Sequence, residues 1–231
     1  MISKLKIEDK NISIYHEDMS LESAVPVVIL NAFDEDVKNI FDKIKEITVK
    51  KFVLVVISNV DWNREMSPWY MEKLYKSEDD YAGKADEYLE QLTQIIIPNI
   101  EKELNNIFSN QNTYEYIIAG YSLAGLFAIY SLYKTDIFSK AVSCSGSLWY
   151  PDLIEFVKSN HLKRIPQKVY FSLGNKESKT KNVKMSTVEE KTKEIESYFH
   201  SQNIETIYEE NDGNHFQDVE ESIAKGIAWA L

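Results

Sequence analysis

The chain has 231 residues, of which 44% are hydrophobic and 27% charged, and its formal net charge is −11 at pH 7. This length suits one α/β domain spanning residues 1–231 with a substantial core. The acidic balance, without a strong basic cluster, excludes nucleic acid and an anionic membrane surface as expected partners. The N-terminal residues are charged every few positions, so we expect no signal peptide, no membrane span and a cytoplasmic protein.

Short apolar or alternating runs predict an antiparallel edge hairpin followed by buried strands, at residues 3–7, 11–15, 25–30, 52–58, 114–119, 139–144, 168–173 and 204–209. Helical spacing lies between these runs. Strands alternating with helices imply right-handed crossovers and a mostly parallel sheet. The predicted fold class is therefore α/β, a three-layer αβα sandwich.

Several local patterns predict how individual helices begin or bend. Asp34 is the expected N-cap of the first helix, and Thr187 with Glu190 forms a capping-box pattern. Pro98 should kink a helix over residues 84–106, because proline removes a hydrogen-bond donor. Phe216 is counted among the apolar positions of the terminal helix.

The stretch Tyr114–Tyr133 reads as a strand, a sharp turn and a buried helix. In a nucleophile elbow the serine occupies a strained backbone position, and the residues two before and two after it must be small. Gly120 and Ala124 meet this demand, although Ala124 stands where a second glycine is usual. The pattern favours Ser122 as a nucleophile over an ordinary turn with a capping serine.

A serine nucleophile requires an imidazole to take its proton and usually a carboxylate to orient that imidazole. A lone histidine is usually a surface or loop residue. His215, however, follows the last predicted strand, and the loop there emerges at the same sheet edge as Ser122. The order serine, acid, histidine favours Glu177 as the acid. The alternatives are a solvated Glu177 with Asp212 or Asp218 as the acid, or a Ser/His dyad oriented by a backbone carbonyl.

Two backbone donors are expected to stabilise a tetrahedral oxyanion. One is the N–H of Leu123, and the second is the N–H of Phe33 or, as second choice, of Ala32. A substrate pocket is predicted from residues in loops after strands or beside the nucleophile, namely Tyr121, Trp62, Arg64, Trp69 and Trp149. Core packing of the aromatic residues and a salt bridge of Arg64 within its own loop remain the alternatives.

Other reactive groups give no separate site. The single cysteine, Cys144, excludes an internal disulfide and is expected to be a small buried residue. No cluster has metal-ligand spacing and no glycine-rich phosphate loop occurs, so we predict no metal and no cofactor. The length also leaves little room for a separate lid domain, which predicts an open site.

The chain resembles the esterase D and enterochelin-esterase group of α/β-hydrolases. Besides the elbow, the resemblance rests on Arg64 with Pro68-Trp69, residues 85–89 with 97–101, Ser145-Gly-Ser-Leu-Trp149, the turn 174–177, and Gly213-Asn-His215. It implies a serine hydrolase acting on esters, with Ser122, Glu177 and His215 on the triad positions. Asn31-Ala32 departs from the His-Gly or Asp-Gly pair common in that group.

The leading hypothesis is a carboxylic-ester hydrolase that acts on a small-molecule ester, as a monomer or small homo-oligomer. Two alternatives remain open. An acyltransferase would use the same three residues and pass the acyl group to an alcohol. A catalytically silent hydrolase fold would bind a ligand or partner instead.

Overall fold

The computed structural model describes residues 1–17, 24–35, 37–108 and 113–231. The strands in these residues are β1 (Ile2–Ile7), β2 (Lys10–Tyr15), β3 (Val25–Asn31), β4 (Val53–Ser58), β5 (Tyr70–Met71), β6 (Tyr81–Ala82), β7 (Tyr114–Tyr121), β8 (Phe138–Cys144), β9 (Lys168–Gly174) and β10 (Glu205–Asn211). Eight of them form one sheet in the order β1-β2-β4-β3-β7-β8-β9-β10, and β5 pairs with β6. The β1–β2 hairpin is antiparallel at one edge, and the pairings from β4 to β10 are parallel.

The helices cover both faces of the sheet and are α1 (Lys38–Ile47), α2 (Trp62–Glu65), α3 (Ala85–Gln91), α4 (Ile97–Phe108), α5 (Leu123–Ser131), α6 (Leu153–Ser159), α7 (Val188–Ser201) and α8 (Val219–Ala230). Alternate residues of β3 enter two cores, because successive strand side chains point to opposite faces. Val27 and Ile29 join the core under α3 to α7, whereas Val28 and Leu30 join the core under α1 and α8. The predicted αβα sandwich with an antiparallel edge hairpin is confirmed.

Local signals in the sequence were less reliable than the alternation of strands and helices. Helix α1 begins at Lys38 and has no side-chain cap, so Asp34 is not its N-cap. The Thr187 hydroxyl donates to the Lys184 carbonyl and does not cap α7. A π-helical turn, Leu92–Ile96, precedes α4, and Pro98 is the second residue of α4. The wider turn accommodates Pro98, which has no backbone N–H to donate.

Helix α5 lies very close to β7 and to the loop after β8. A Cβ atom on Gly120 would lie 2.2 Å from the carbonyl group of Ala124, which only glycine avoids. A Cβ atom on Gly125 would lie 2.9 Å from the Cα atom of Gly146, and one on Gly146 would lie 2.2 Å from Ser143 Oγ. The methyl group of Ala124 is tolerated because the opposing residue, Gly120, has no side chain.

The contact between Gly146 and Ser143 gives a test of this packing. Ser143 Oγ is buried and has no hydrogen-bond partner among the residues that the structure describes. Gly146→Ala should lower the free energy of unfolding by about 1–3 kcal/mol, because the new methyl group meets that hydroxyl. Ser143→Ala alone should be nearly neutral, since the hydroxyl has no bond to lose.

Urea unfolding of the two single variants and the double variant measures the coupling. The double variant should recover most of the stability that Gly146→Ala loses. A double variant no more stable than Gly146→Ala would show that the Ser143 hydroxyl is not what the methyl group meets.

Candidate active site

Ser122 connects β7 to α5 through a strained backbone. Its φ of 57° and ψ of −123° lie in a region that residues other than glycine rarely adopt. Two backbone hydrogen bonds hold it there: the Ser122 N–H donates to the Cys144 carbonyl (3.1 Å), and the Ser147 N–H donates to the Ser122 carbonyl (2.9 Å). The strain is therefore offset by contacts with the loop after β8.

The three side chains proposed from the sequence lie in one hydrogen-bonded chain. Ser122 Oγ is 3.0 Å from His215 Nε2, and His215 Nδ1 is 2.7 Å from Glu177 Oε2. These residues follow β7, β10 and β9, whose carboxyl ends meet at one sheet edge. A neutral imidazole protonated at Nδ1 would donate to Glu177 and accept from the Ser122 hydroxyl. This arrangement can move a proton from the hydroxyl to the imidazole.

The carboxylate of Glu177 is buried and well supplied with donors. Its side chain is only 4% exposed. Oε1 accepts hydrogen bonds from the Ser145 hydroxyl (2.6 Å) and the Gly174 N–H (2.8 Å). Burial by itself would raise the pKa of Glu177, but the hydrogen bonds from His215, Ser145 and Gly174 outweigh burial, and the pKa is lowered. Glu177 is therefore ionised near neutral pH.

The two alternative acids, Asp212 and Asp218, are not bonded to the imidazole of His215 in the described residues. Asp212 accepts a hydrogen bond from the side-chain amide of Asn175 (2.8 Å). Asp218 stands just before α8 and does not cap it through its side chain. Among the described carboxylates, Glu177 is the one bonded to His215.

Tyr121 fastens the loop that carries His215. Its hydroxyl donates to the His215 carbonyl (2.9 Å), and the two ring centroids are 5.3 Å apart. Burial raises the pKa of the Tyr121 phenol, so the hydroxyl stays protonated and able to donate. Tyr121 was predicted to line a substrate pocket, which stays a prediction, and the structure adds that its hydroxyl holds the His215 loop.

The structure distinguishes the expected oxyanion donors. The Ala32 N–H donates to the Ile57 carbonyl (2.9 Å) and is not available, which corrects the second choice. Neither the Leu123 N–H nor the Phe33 N–H finds an acceptor within the described ranges. Because Asn31 pairs with Gly120, two further residues along each strand bring Phe33 level with Ser122. Leu123 directly follows Ser122 and Phe33 follows the neighbouring strand β3, so both residues lie at the same sheet edge as the Ser122 hydroxyl.

Two exposed phenylalanines border this site. Phe33 is 69% exposed and stacks on Trp62 with ring centroids 3.8 Å apart. Phe216 is 86% exposed and packs edge-on against the His215 ring, 5.2 Å away. Phe216 precedes α8 and does not belong to its buried face, contrary to the sequence prediction. The loops that follow β3 and β10 therefore each carry an exposed aromatic side chain beside the site.

The other predicted pocket residues are not gathered in one cavity. Trp149 is only 5% exposed and packs against Tyr150. Arg64 forms an ion pair with Glu87 and borders a cavity of about 420 Å³, and Trp69 borders a second cavity of about 320 Å³. Neither cavity includes Ser122, Glu177 or His215 in its lining.

Other reactive side chains do not add a second centre. Cys144 is buried, and burial raises the pKa of its thiol to about 12, so the thiol stays protonated. Within residues 1–17, 24–35, 37–108 and 113–231, no three His, Cys, Asp or Glu side chains are grouped to hold a metal ion. In that same part of the chain, no helix combines the length and apolar character needed to cross a membrane.

Comparison with known proteins places the chain in a family. Residues 32–226 match the model of the esterase family, which is described as "Putative esterase". The strand order with helices on both faces is an α/β-hydrolase fold. By this match the chain belongs to the esterase family. A curated relative, the uncharacterized protein YbbA of Bacillus subtilis (strain 168), is 31% identical over 145 residues. That match covers 62% of this chain and only 57% of the relative's length.

Solved structures share the whole architecture. An IroE-like serine hydrolase from Shewanella oneidensis has a TM-score of 0.77 at 16% identity, covering 99% of this chain and 79% of that one. The siderophore hydrolase EstA from Aspergillus nidulans has a TM-score of 0.73 at 18% identity, covering 99% and 93%. At these identities the likeness shows a common fold.

The Tyr121 contact can be tested without an activity assay. Tyr121→Phe removes the hydroxyl that holds the His215 carbonyl, so amides of residues 212–218 should exchange hydrogen several-fold faster, as expected for about 1 kcal/mol of lost hydrogen bonding. Hydrogen-exchange mass spectrometry of a peptide covering this loop gives the measurement.

Tyr130→Phe is the matched control, because it removes a phenol that donates to Asp86 (2.7 Å), away from His215. It should leave exchange in residues 212–218 unchanged. Equal uptake in that loop for wild type and Tyr121→Phe would contradict a fastening role for Tyr121.

Proposed function

We propose that the protein is a carboxylic-ester hydrolase that works through an acyl-enzyme on Ser122. The observation that carries the proposal is the continuous chain from Glu177 through His215 to the Ser122 hydroxyl, with contacts of 2.7 and 3.0 Å. A serine hydroxyl becomes nucleophilic when an adjacent base takes its proton. The strained elbow and the family match support the same conclusion.

In the first half of the reaction, Ser122 Oγ attacks the ester carbonyl carbon while His215 Nε2 takes the hydroxyl proton. The ionised Glu177 stabilises the imidazolium and keeps the ring oriented. The negative oxygen of the tetrahedral intermediate accepts hydrogen bonds from the Leu123 and Phe33 N–H groups. The intermediate then collapses, and the imidazolium gives its proton to the departing alkoxide.

In the second half, water replaces the alcohol. His215 takes a proton from the water, which attacks the acyl carbonyl, and the same two N–H groups hold the second oxyanion. Collapse releases the carboxylic acid and returns the proton to Ser122. The His215 side chain is 24% exposed, which supports this half, since water can reach the imidazole.

The exposed phenylalanines beside the site, Phe33 and Phe216, support a proposal about the substrate. Their rings would contact an apolar or aromatic part of a small-molecule ester. Several proteins of this fold are described as siderophore or enterobactin hydrolases, which makes siderophore-type esters one class to examine. We further propose that residues 1–231 act as one domain and that the reaction uses no metal or cofactor.

Replacing the nucleophile tests the proposal. With p-nitrophenyl acetate, the wild type should release a burst of p-nitrophenol followed by steady turnover, and Ser122→Ala should lower kcat by roughly 10³-fold or more. The reason is that this variant lacks the hydroxyl that forms the acyl-enzyme in the proposed mechanism. Stopped-flow absorbance measures both phases.

Ser131→Ala is the matched control, because it removes a buried hydroxyl at the other end of α5 that donates to the Ala128 carbonyl (2.8 Å). It should keep the burst and most of the turnover. Full turnover by Ser122→Ala would refute the proposed role of Ser122.

A further inference from the structure

The order of the strands leaves a gap between the nucleophile and the acid. Strand β7 leads to Ser122 and β9 leads to Glu177, but β8 lies between them in the sheet. The two side chains therefore do not stand on neighbouring strands. The segment that follows β8, Ser145-Gly146-Ser147, necessarily lies between them at the same edge.

At one end this segment contacts the acid. The Ser145 hydroxyl donates to Glu177 Oε1 (2.6 Å), while Glu177 Oε2 faces His215. With both oxygens bonded, the carboxylate plane cannot turn away from the imidazole. The Ser145 backbone has a φ of 43°, and its N–H donates to the Ser172 carbonyl (2.8 Å). Ser145 is therefore held in an unusual conformation that aims its hydroxyl at the carboxylate.

At the other end the segment contacts the nucleophile. The Ser147 N–H donates to the Ser122 carbonyl (2.9 Å), and Ser147 Oγ lies 3.4 Å from Ser122 Oγ. Ser147 is 4% exposed, so its hydroxyl has little contact with solvent water. Between the two serines, the backbone of Gly146 packs closely against α5. A Cβ atom on Gly125 would lie only 2.9 Å from the Cα atom of Gly146. The segment thus contacts both ends of the Ser122–His215–Glu177 chain.

We infer that Ser145-Gly146-Ser147 is a positioning element that fixes the acid and the nucleophile relative to each other, with Ser145 as the positioning residue for Glu177. This inference rests on the proposed hydrolase function. Neither serine exchanges a proton with substrate. Ser145 acts through the orientation of the carboxylate, and Ser147 acts through the elbow backbone and the direction of the Ser122 hydroxyl.

Two substitutions separate the Ser145 hydroxyl from the Ser145 backbone. Ser145→Ala removes the hydroxyl at an unchanged φ, and Ser145→Gly removes it while relieving the positive φ. Both variants should lower kcat for p-nitrophenyl acetate about tenfold, because a hydrogen bond to a charged group has roughly that effect, and both should change KM less than about twofold. Ser147→Ala should give a smaller loss, since its 3.4 Å contact is longer.

Ser222→Ala is the control. It removes a buried hydroxyl that bonds to Ser172 Oγ (3.0 Å), accepts from the Asn211 side-chain amide (3.2 Å) and is hydrogen-bonded to neither Glu177 nor His215. Its kcat should stay within about twofold of the wild-type value, the range expected when a neutral hydrogen bond away from the site is lost. Turnover by Ser145→Ala and Ser145→Gly equal to that of Ser222→Ala would overturn the inference, as would a loss in Ser145→Ala that Ser145→Gly restores.

A second readout does not depend on catalysis. Because the pKa of Glu177 is lowered, its charge stabilises the fold above the ordinary value of 4.5, and this stability is lost as pH falls through the lowered value. The Ser145 hydrogen bond is one cause of that lowering, so both Ser145 variants should lose less Tm than Ser222→Ala when the pH falls from above 4.5 to below the lowered pKa of Glu177.

The Tm profile and the turnover assay test different claims, so one can fail without the other. Identical Tm profiles against pH in the Ser145 variants and Ser222→Ala would contradict the contact between Ser145 and the carboxylate. If instead Ser122→Ala kept full turnover in the same assay, the proposed hydrolase function would fail, and the Tm profiles would still decide whether Ser145 holds Glu177.

Discussion

The proposed mechanism depends on a buried carboxylate that keeps its charge. Removing Glu177 from water is unfavourable for the ionised form, and an unpaired carboxylate at this depth would take up a proton. Three donors prevent this, from the His215 ring, the Ser145 hydroxyl and the Gly174 N–H. The charge then fixes which imidazole nitrogen carries the proton and leaves Nε2 free to accept from Ser122.

The parallel sheet explains why residues so far apart in the chain meet. Strands β7, β9 and β10 run in the same direction, so the loops that follow them emerge together. Close packing then sets the finer distances. Gly120 and Gly125 lie where a Cβ atom would collide with neighbouring backbone, so α5 can approach β7 at Gly120 and the loop after β8 at Gly125. The strained backbone at Ser122 is stable because these contacts surround it.

The sequence was sufficient for the features that follow from alternation and small-residue spacing. The strand–turn–helix around Ser122 and the ends of the strands before Glu177 and His215 could be located, and the αβα fold followed from them. Features that depend on how the strands pair or where a helix begins could not be located from the sequence. The Ala32 N–H bonds to the Ile57 carbonyl because β3 pairs with β4 as far as Asn31, one residue beyond the strand end expected at residue 30. The exposure of Phe216 arises because α8 begins only at Val219.

The role inferred for Ser145 shows the same limit. The sequence around Ser145 lacks the small-residue spacing of a nucleophile elbow, so it did not predict that Ser145 positions a catalytic group. Its importance appears only when β8 is known to lie between the strand of the nucleophile and the strand of the acid. Strand order of this kind is a tertiary property, set by which faces and edges pack, and it leaves no local pattern in the sequence.

The proposed mechanism requires that Ser122 Oγ carries the acyl group of the ester as a covalent intermediate. Acid quenching of the wild type during the burst with a p-nitrophenyl ester, followed by peptide mass spectrometry, tests it most directly. The account predicts one acyl group on the peptide containing Ser122, located on Ser122 itself. Ester consumption with an unmodified Ser122, or with the acyl group on the neighbouring Ser147, would contradict it.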